Sequence, residues 1–65
     1  MSNGNFDLLW KQTELARAKE SLKAYTEASQ RSDLTDSDRE FLTRAVKCAQ
    51  DWVDRAKGDL RNLAA

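Results

Sequence analysis

The residues in this chain most suited to site chemistry by type and spacing are acidic. From Asp33 to Leu42 the sequence reads DLTDSDREFL, with carboxylates at Asp33, Asp36, Asp38 and Glu40. Alternating carboxylates are what a calcium loop offers, because a hard cation takes several oxygen ligands from one short segment. An EF-hand loop also demands a glycine at its sixth position and a glutamate at its twelfth. Counted from Asp36, those positions hold Phe41 and Lys47. A helix start fits better. Thr35 and Asp38 form a Thr-x-x-Asp capping box, and Ser37 with Glu40 offers a second register. Carboxylates in a first turn also face the positive end of the helix dipole. The stretch therefore predicts an N-cap and no metal site.

The other reactive group is Cys48, with Arg44 and Lys47 close in sequence. A redox-active thiol needs an electropositive, accessible setting. At the edge of an apolar stripe, a free cysteine is more simply a small apolar residue. The chain has no histidine, so no general base with an ordinary pKa near neutrality is at hand. One cysteine without histidine makes neither a zinc cluster nor an internal disulfide. No serine or cysteine has an evident activator. The expectation is a non-enzyme with no cofactor.

Two aromatic residues invite a different role. Phe6 and Trp10 are i,i+4 neighbours. They make a candidate partner anchor, since tryptophan is enriched at binding hot spots. The simpler expectation is packing near Leu60 and Leu63, in the same hairpin or in a dimer mate. Lys19, Lys23 and Tyr25 suggest a nucleic-acid contact, but Glu20 and Glu27 interleave with them. A solvated face is the expected outcome.

The elements that must position these residues are helices. There is no proline and there are only two glycines, and most of the chain is Ala, Leu, Lys, Arg, Glu and Gln, all strong helix formers. A first helix is predicted over about 6–30, capped near Asn5. Leu8, Leu15 and Leu22 recur every seven residues, with Ala18 and Tyr25 in the adjoining row. Lys11 interrupts this seam, and its stem can cover apolar surface while the ammonium reaches water. A second helix is predicted over about 36–63. Along it Leu42, Ala45, Ala49, Trp52, Ala56, Leu60 and Leu63 step by three or four residues, flanked by Phe41, Val46, Cys48 and Val53. That apolar arc spans roughly 160°, wider than the ~100° one neighbour requires. Gly58 reads as a C-cap or a fraying last turn. A turn over about 31–35 is short enough to fold the helices back as antiparallel neighbours, each about 35 Å long.

Charge narrows the function. Eleven Lys+Arg balance eleven Asp+Glu, and the balance holds within each helix. Local pairs such as Asp7–Lys11, Glu14–Arg17, Glu27–Arg31, Glu40–Arg44 and Asp51–Arg55 contribute about 0.2–0.5 kcal/mol each. A basic stripe of the kind that binds phosphates is not evident. No apolar run approaches the ~18 residues of a membrane span, and the start, MSNGNFDLLWKQ, lacks the regions of a signal peptide. A lone thiol without such a signal implies the cytoplasm.

Residues 1–65 thus read as one all-α domain, an antiparallel two-helix hairpin. A chain this short buries only about 60% of its unfolded surface, so it is marginal alone. The over-wide arc then implies dimerisation into a four-helix bundle, with Leu42, Ala45, Ala49, Trp52, Val53, Ala56 and Leu60 at the interface. In length, helix number and acidic turn the layout resembles the Rop family of plasmid RNA-binding regulators. That resemblance implies a dimer and an RNA partner, and it carries no functional residue. The leading expectation is a self-associating, non-enzymatic interaction protein: an adaptor, inhibitor or regulator that binds another protein. A nucleic-acid-binding regulator of Rop-like layout and a structural subunit of a larger assembly are the alternatives.

Overall fold

A computed structural model describes residues 4–64. It contains two helices, α1 (Gly4–Ser29) and α2 (Asp36–Ala64). They pack against each other as an antiparallel hairpin. Contacts run in opposite order along the two helices: Lys11 meets Asp59, Glu14 meets Trp52, and Tyr25 meets Phe41. The result is a rod of 53 × 14 × 13 Å.

Local chemistry explains where each helix stops. Gln30 N–H donates to the Glu27 carbonyl at 3.1 Å and Arg31 N–H to that of Ala28 at 3.2 Å. These i→i−3 bonds tighten the last turn of α1 and satisfy carbonyls that have no helical partner. The Ser29 hydroxyl donates to the Thr26 carbonyl at 2.7 Å. In the turn, Arg31 holds Asp33 side-on, Nε donating to Oδ1 at 3.1 Å and Nη2 to Oδ2 at 2.8 Å. That pair replaces the expected Glu27–Arg31 contact.

α2 begins with the capping box in its Thr35 register. Asp38 N–H donates to Thr35 Oγ1 at 3.1 Å, and Thr35 N–H donates to Asp38 Oδ2 at 3.2 Å. Two orphan backbone donors are satisfied reciprocally. Three of the four carboxylates of the opening stretch are engaged, Asp38 by the cap, Asp33 by Arg31 and Glu40 by Arg44. Among the described residues, no group of three or more potential ligands is placed to hold a metal ion.

Two expectations about helix ends change. α1 already includes Gly4 and Asn5, so Asn5 is not its N-cap. Gly58 is not a C-cap either. α2 continues past it to Ala64, and no described glycine has a positive φ.

The core is thin. Its buried apolar residues are Ala18 on α1 and Leu42, Ala49, Val53 and Ala56 on α2. Ala18 and Ala56 are fully inaccessible, and no large side chain is completely enclosed. Small residues along the seam let the backbones approach closely. They also bury little apolar area, and stabilisation scales with that area at about 25 cal/mol per Å². α2 is strongly one-sided, whereas α1 spreads apolar residues around its whole circumference. The hairpin therefore leaves apolar surface that it does not cover.

Candidate functional site

The uncovered surface follows from positions relative to the seam. On α1, Ala18 marks the centre. Leu15 and Leu22 lie to one side, and Glu14 and Ser21 lie to the other. On α2, Ala49 marks the centre, with Val46 and Val53 on one side and Ala45 and Trp52 on the other. The Glu14–Trp52 hydrogen bond joins like side to like side. The hairpin thus has two long flanks. One is aliphatic, built on Leu8, Leu15, Leu22 and Val46, all half-buried. The other is aromatic, built on Trp10, Tyr25, Phe41 and Trp52.

Two grooves run along the aromatic flank. Near the turn, Ser21, Tyr25, Phe41, Ala45, Cys48 and Trp52 line one. Near the open end, Asp7, Trp10, Lys11, Asp59, Asn62 and Leu63 line the other. On α2 the spacing Phe41, Cys48, Trp52, Asp59, Leu63 steps by seven and four, which is one continuous helical stripe. Trp10, Glu14, Ser21 and Tyr25 make the matching stripe on α1. The grooves are successive stretches of one surface.

A polar bridge separates them and fixes the register. Trp52 Nε1–H donates to Glu14 Oε1 at 3.1 Å. The Lys11 ammonium donates to Glu14 Oε2 at 3.3 Å and to Asp59 Oδ2 at 3.0 Å. Hydrogen bonds from the Trp52 indole and from Lys11 hold the Glu14 carboxyl below its usual value. Hydrogen bonds to Asp59 and Glu14 hold the Lys11 ammonium above its usual value. The sequence marked Lys11 as a seam interruption with its ammonium in water. Instead that ammonium ties the helices together. The Asp7–Lys11 and Glu14–Arg17 pairs give way to this cross-helix arrangement.

Around the bridge the aromatic residues stand in solvent. Phe6 is 69% exposed, Trp10 54% and Phe41 62%. Tyr25 meets Phe41 edge-on, with ring centroids 6.5 Å apart. Cys48 is exposed in the groove beside them, rather than buried as a small core residue. Trp10 shares its groove with Leu63, yet both remain exposed, and packing within one hairpin does not cover Phe6. Leu9 faces outward on the far side of α1 and is 62% exposed.

No family model, curated protein or solved structure matches this chain.

The residues singled out as an interchain interface fall into two groups. Leu42, Ala49, Val53 and Ala56 are buried inside the hairpin, against α1 of the same chain. Ala45, Trp52 and Leu60 are half-buried. A second chain reaches the first four only if the hairpin opens. The wide arc on α2 is real, but its centre is used at home and its edge is what remains. The position of Lys11 in the α1 seam, one i,i+3 step from Glu14, was the signal for the bridge. Asp59, seven residues beyond Trp52, completed it.

Proposed function

We propose that the chain is a non-enzymatic interaction protein that binds another protein through its aromatic flank. The observation that carries this is the stripe of exposed Trp10 and Phe41 and half-buried Tyr25 and Trp52, lying on a register fixed by the Lys11–Glu14–Asp59 bridge. Large aromatic side chains on a rigid surface are the residues that dominate binding energy, because they bury area at low entropic cost. The groove at the turn end is apolar with polar groups at its margin, as docking surfaces are. Adaptor, inhibitor and regulator are all roles of this kind. The test is affinity capture from cells of the source organism with the intact chain and with the Trp10→Ala, Phe41→Ala double variant. Both substitutions lie outside the core, so the variant keeps its helicity. A protein captured by the first and lost with the second supports the proposal. Identical captures refute it.

Self-association is a second reading, supported by one observation. Leu8, Leu15, Leu22 and Val46 are only half-covered on the opposite flank, where a second hairpin would make a four-helix bundle. Sedimentation of the chain and of a Leu15→Glu variant tests it. A concentration-dependent dimer abolished by the substitution is the expected result, and a monomer at high micromolar concentration excludes it.

A further inference from the structure

Charges along the outer edge of the aromatic flank alternate in sign. On α2 they run Glu40, Arg44, Asp51, Arg55, and all four are exposed. Turned end for end, this order puts an acid opposite each arginine: Arg44 faces Asp51, and Arg55 faces Glu40. The centre of that reversal lies between Lys47 and Cys48. The row just inside holds Phe41, Ala45, Cys48 and Trp52, stepping by four, three and four. Its own centre is one residue away, between Val46 and Lys47. Reversal there sets Phe41 against Trp52 and Ala45 against Cys48. α1 has the same property. Trp10, Glu14, Arg17, Ser21, Ala24 and Ala28 step by four and three along its flank. Reversed about Lys19, its large members meet its small ones: Trp10 meets Ala28, Glu14 meets Ala24, and Arg17 meets Ser21.

The fold brings the two centres to one level. The Tyr25–Phe41 and Glu14–Trp52 contacts tie the helices together. Midway between those contacts lie Lys19 and Glu20 on α1, and Val46 and Lys47 on α2. One two-fold axis at that level, perpendicular to the rod, therefore reverses both helices in register. We infer that the aromatic flank receives the same flank of a second copy, turned end for end, in an antiparallel four-helix bundle. The inference rests on the reading of this flank as a docking surface. A two-fold interface requires a surface that complements itself, and here size and charge do so about one axis. Exposed Trp10 finds the small Ala28 of its mate, and exposed Phe41 finds the indole of Trp52. Arg17 also reaches Glu20 of its mate. Opposite charges across the margin set register and orientation. A parallel mate on this flank would instead put Arg44 on Arg44 and Asp51 on Asp51. The seam within each hairpin is complete without the mate, so folded chains associate reversibly.

Sedimentation of the intact chain is expected to show a concentration-dependent dimer. Cys48 is the chain's only cysteine and lines the groove close to the axis. Helices about 8–10 Å apart with a rise of about 1.5 Å per residue place the two copies of Cys48 about 10 Å apart, so a short bis-maleimide should join them. Arg44→Asp alone and Asp51→Arg alone each set like charges together on both sides of the axis. Each is expected to weaken the dimer about tenfold or more. An equimolar mixture of the two variants should restore it, because every acid then faces an arginine. Both side chains are exposed, and circular dichroism checks that each variant keeps its helicity. A monomeric intact chain at high micromolar concentration overturns the inference, while the capture experiment above still judges the flank for an unlike partner. A dimer that is indifferent to both substitutions overturns it too. So does one lost with Leu15→Glu, which places the mate on the aliphatic flank. A mixture that associates no more tightly than its separate components also overturns it, because the antiparallel register requires the rescue.

Discussion

The indole N–H of Trp52 donates to Oε1 of Glu14 across the two helices at 3.1 Å. Glu14 in turn accepts from Lys11, which reaches on to Asp59. Among the described residues the Trp52–Glu14 and Lys11–Asp59 bonds are the side-chain hydrogen bonds that link α1 to α2. Alanine-rich seams slide easily, because neighbouring alanines are interchangeable as contacts. Trp52→Phe keeps the aromatic packing and removes the donor. It should lower the urea midpoint of unfolding without changing helicity. In a Trp52→Phe, Glu14→Gln cycle the two effects should be strongly non-additive. Additive effects would mean that the bond contributes nothing to register.

The Thr35–Asp38 box predicts a second loss. Thr35→Ala should destabilise the fold by about 1 kcal/mol, lowering Tm by about 4–8 °C in a domain of this size. Asp38→Ala should do much the same, and the double variant little more. Thermal unfolding followed by circular dichroism reads all three.

Gly58 predicts a gain. A Cβ added there meets no atom within 4 Å, and the residue lies inside α2 with no positive φ. Gly58→Ala should therefore stabilise the hairpin by about 0.5–1 kcal/mol. An unchanged or lower midpoint would place that turn outside the folded helix.

Several of these features are legible in the sequence because their physics is local. The helices, the short turn, the Thr35–Asp38 box and the apolar stripe of α2 each follow from residues within a few positions of one another. Three others depend on what is opposite. The width of the α2 arc shows that it has surplus apolar surface, but it does not say which row faces α1. The alanine rows took that place, because small residues allow the closest approach, and Trp52, Cys48 and Phe41 were left at the edge. Lys11 has three acids within reach of its long stem, and only the interhelical register decides that Asp59 and Glu14 win over Asp7. Phe6 and Trp10 lie beyond the reach of the thin seam, so no described residue covers them.

Alkali should destabilise through the bridge, and acid through both the bridge and the Arg31–Asp33 pair of the turn. Glu14 is lowered from 4.5 and Asp33 from 3.8 by their hydrogen-bond partners. A depressed carboxyl stabilises the fold above its unfolded value, and that contribution disappears as pH falls through the folded one. Lys11 is raised from 10.5, so its contribution is complete below that value and is lost as pH rises through the folded one. Stability should be level from about pH 5 to 10 and decline on both sides. Glu14→Gln should flatten the acid decline. Stability that rises below pH 4.5 would contradict the bridge.

The core and the flank should respond to substitution in opposite ways. Val53 is buried in the seam, so Val53→Ala should cost about 2 kcal/mol and Ala49→Glu should unfold the hairpin. Phe41→Ala and Trp10→Ala should leave stability nearly unchanged and weaken only binding. The most direct measurement replaces Trp10, Phe41, Ala16 and Lys47 one at a time with a photo-crosslinking phenylalanine in cells of the source organism. Trp10 and Phe41 lie on the aromatic flank, and Ala16 and Lys47 lie on the outer backs of the helices. Discrete adducts to the same protein from the two flank positions, and none from the backs, are the predicted result. Adducts from the backs alone, or from all four positions alike, would contradict the flank as the docking surface.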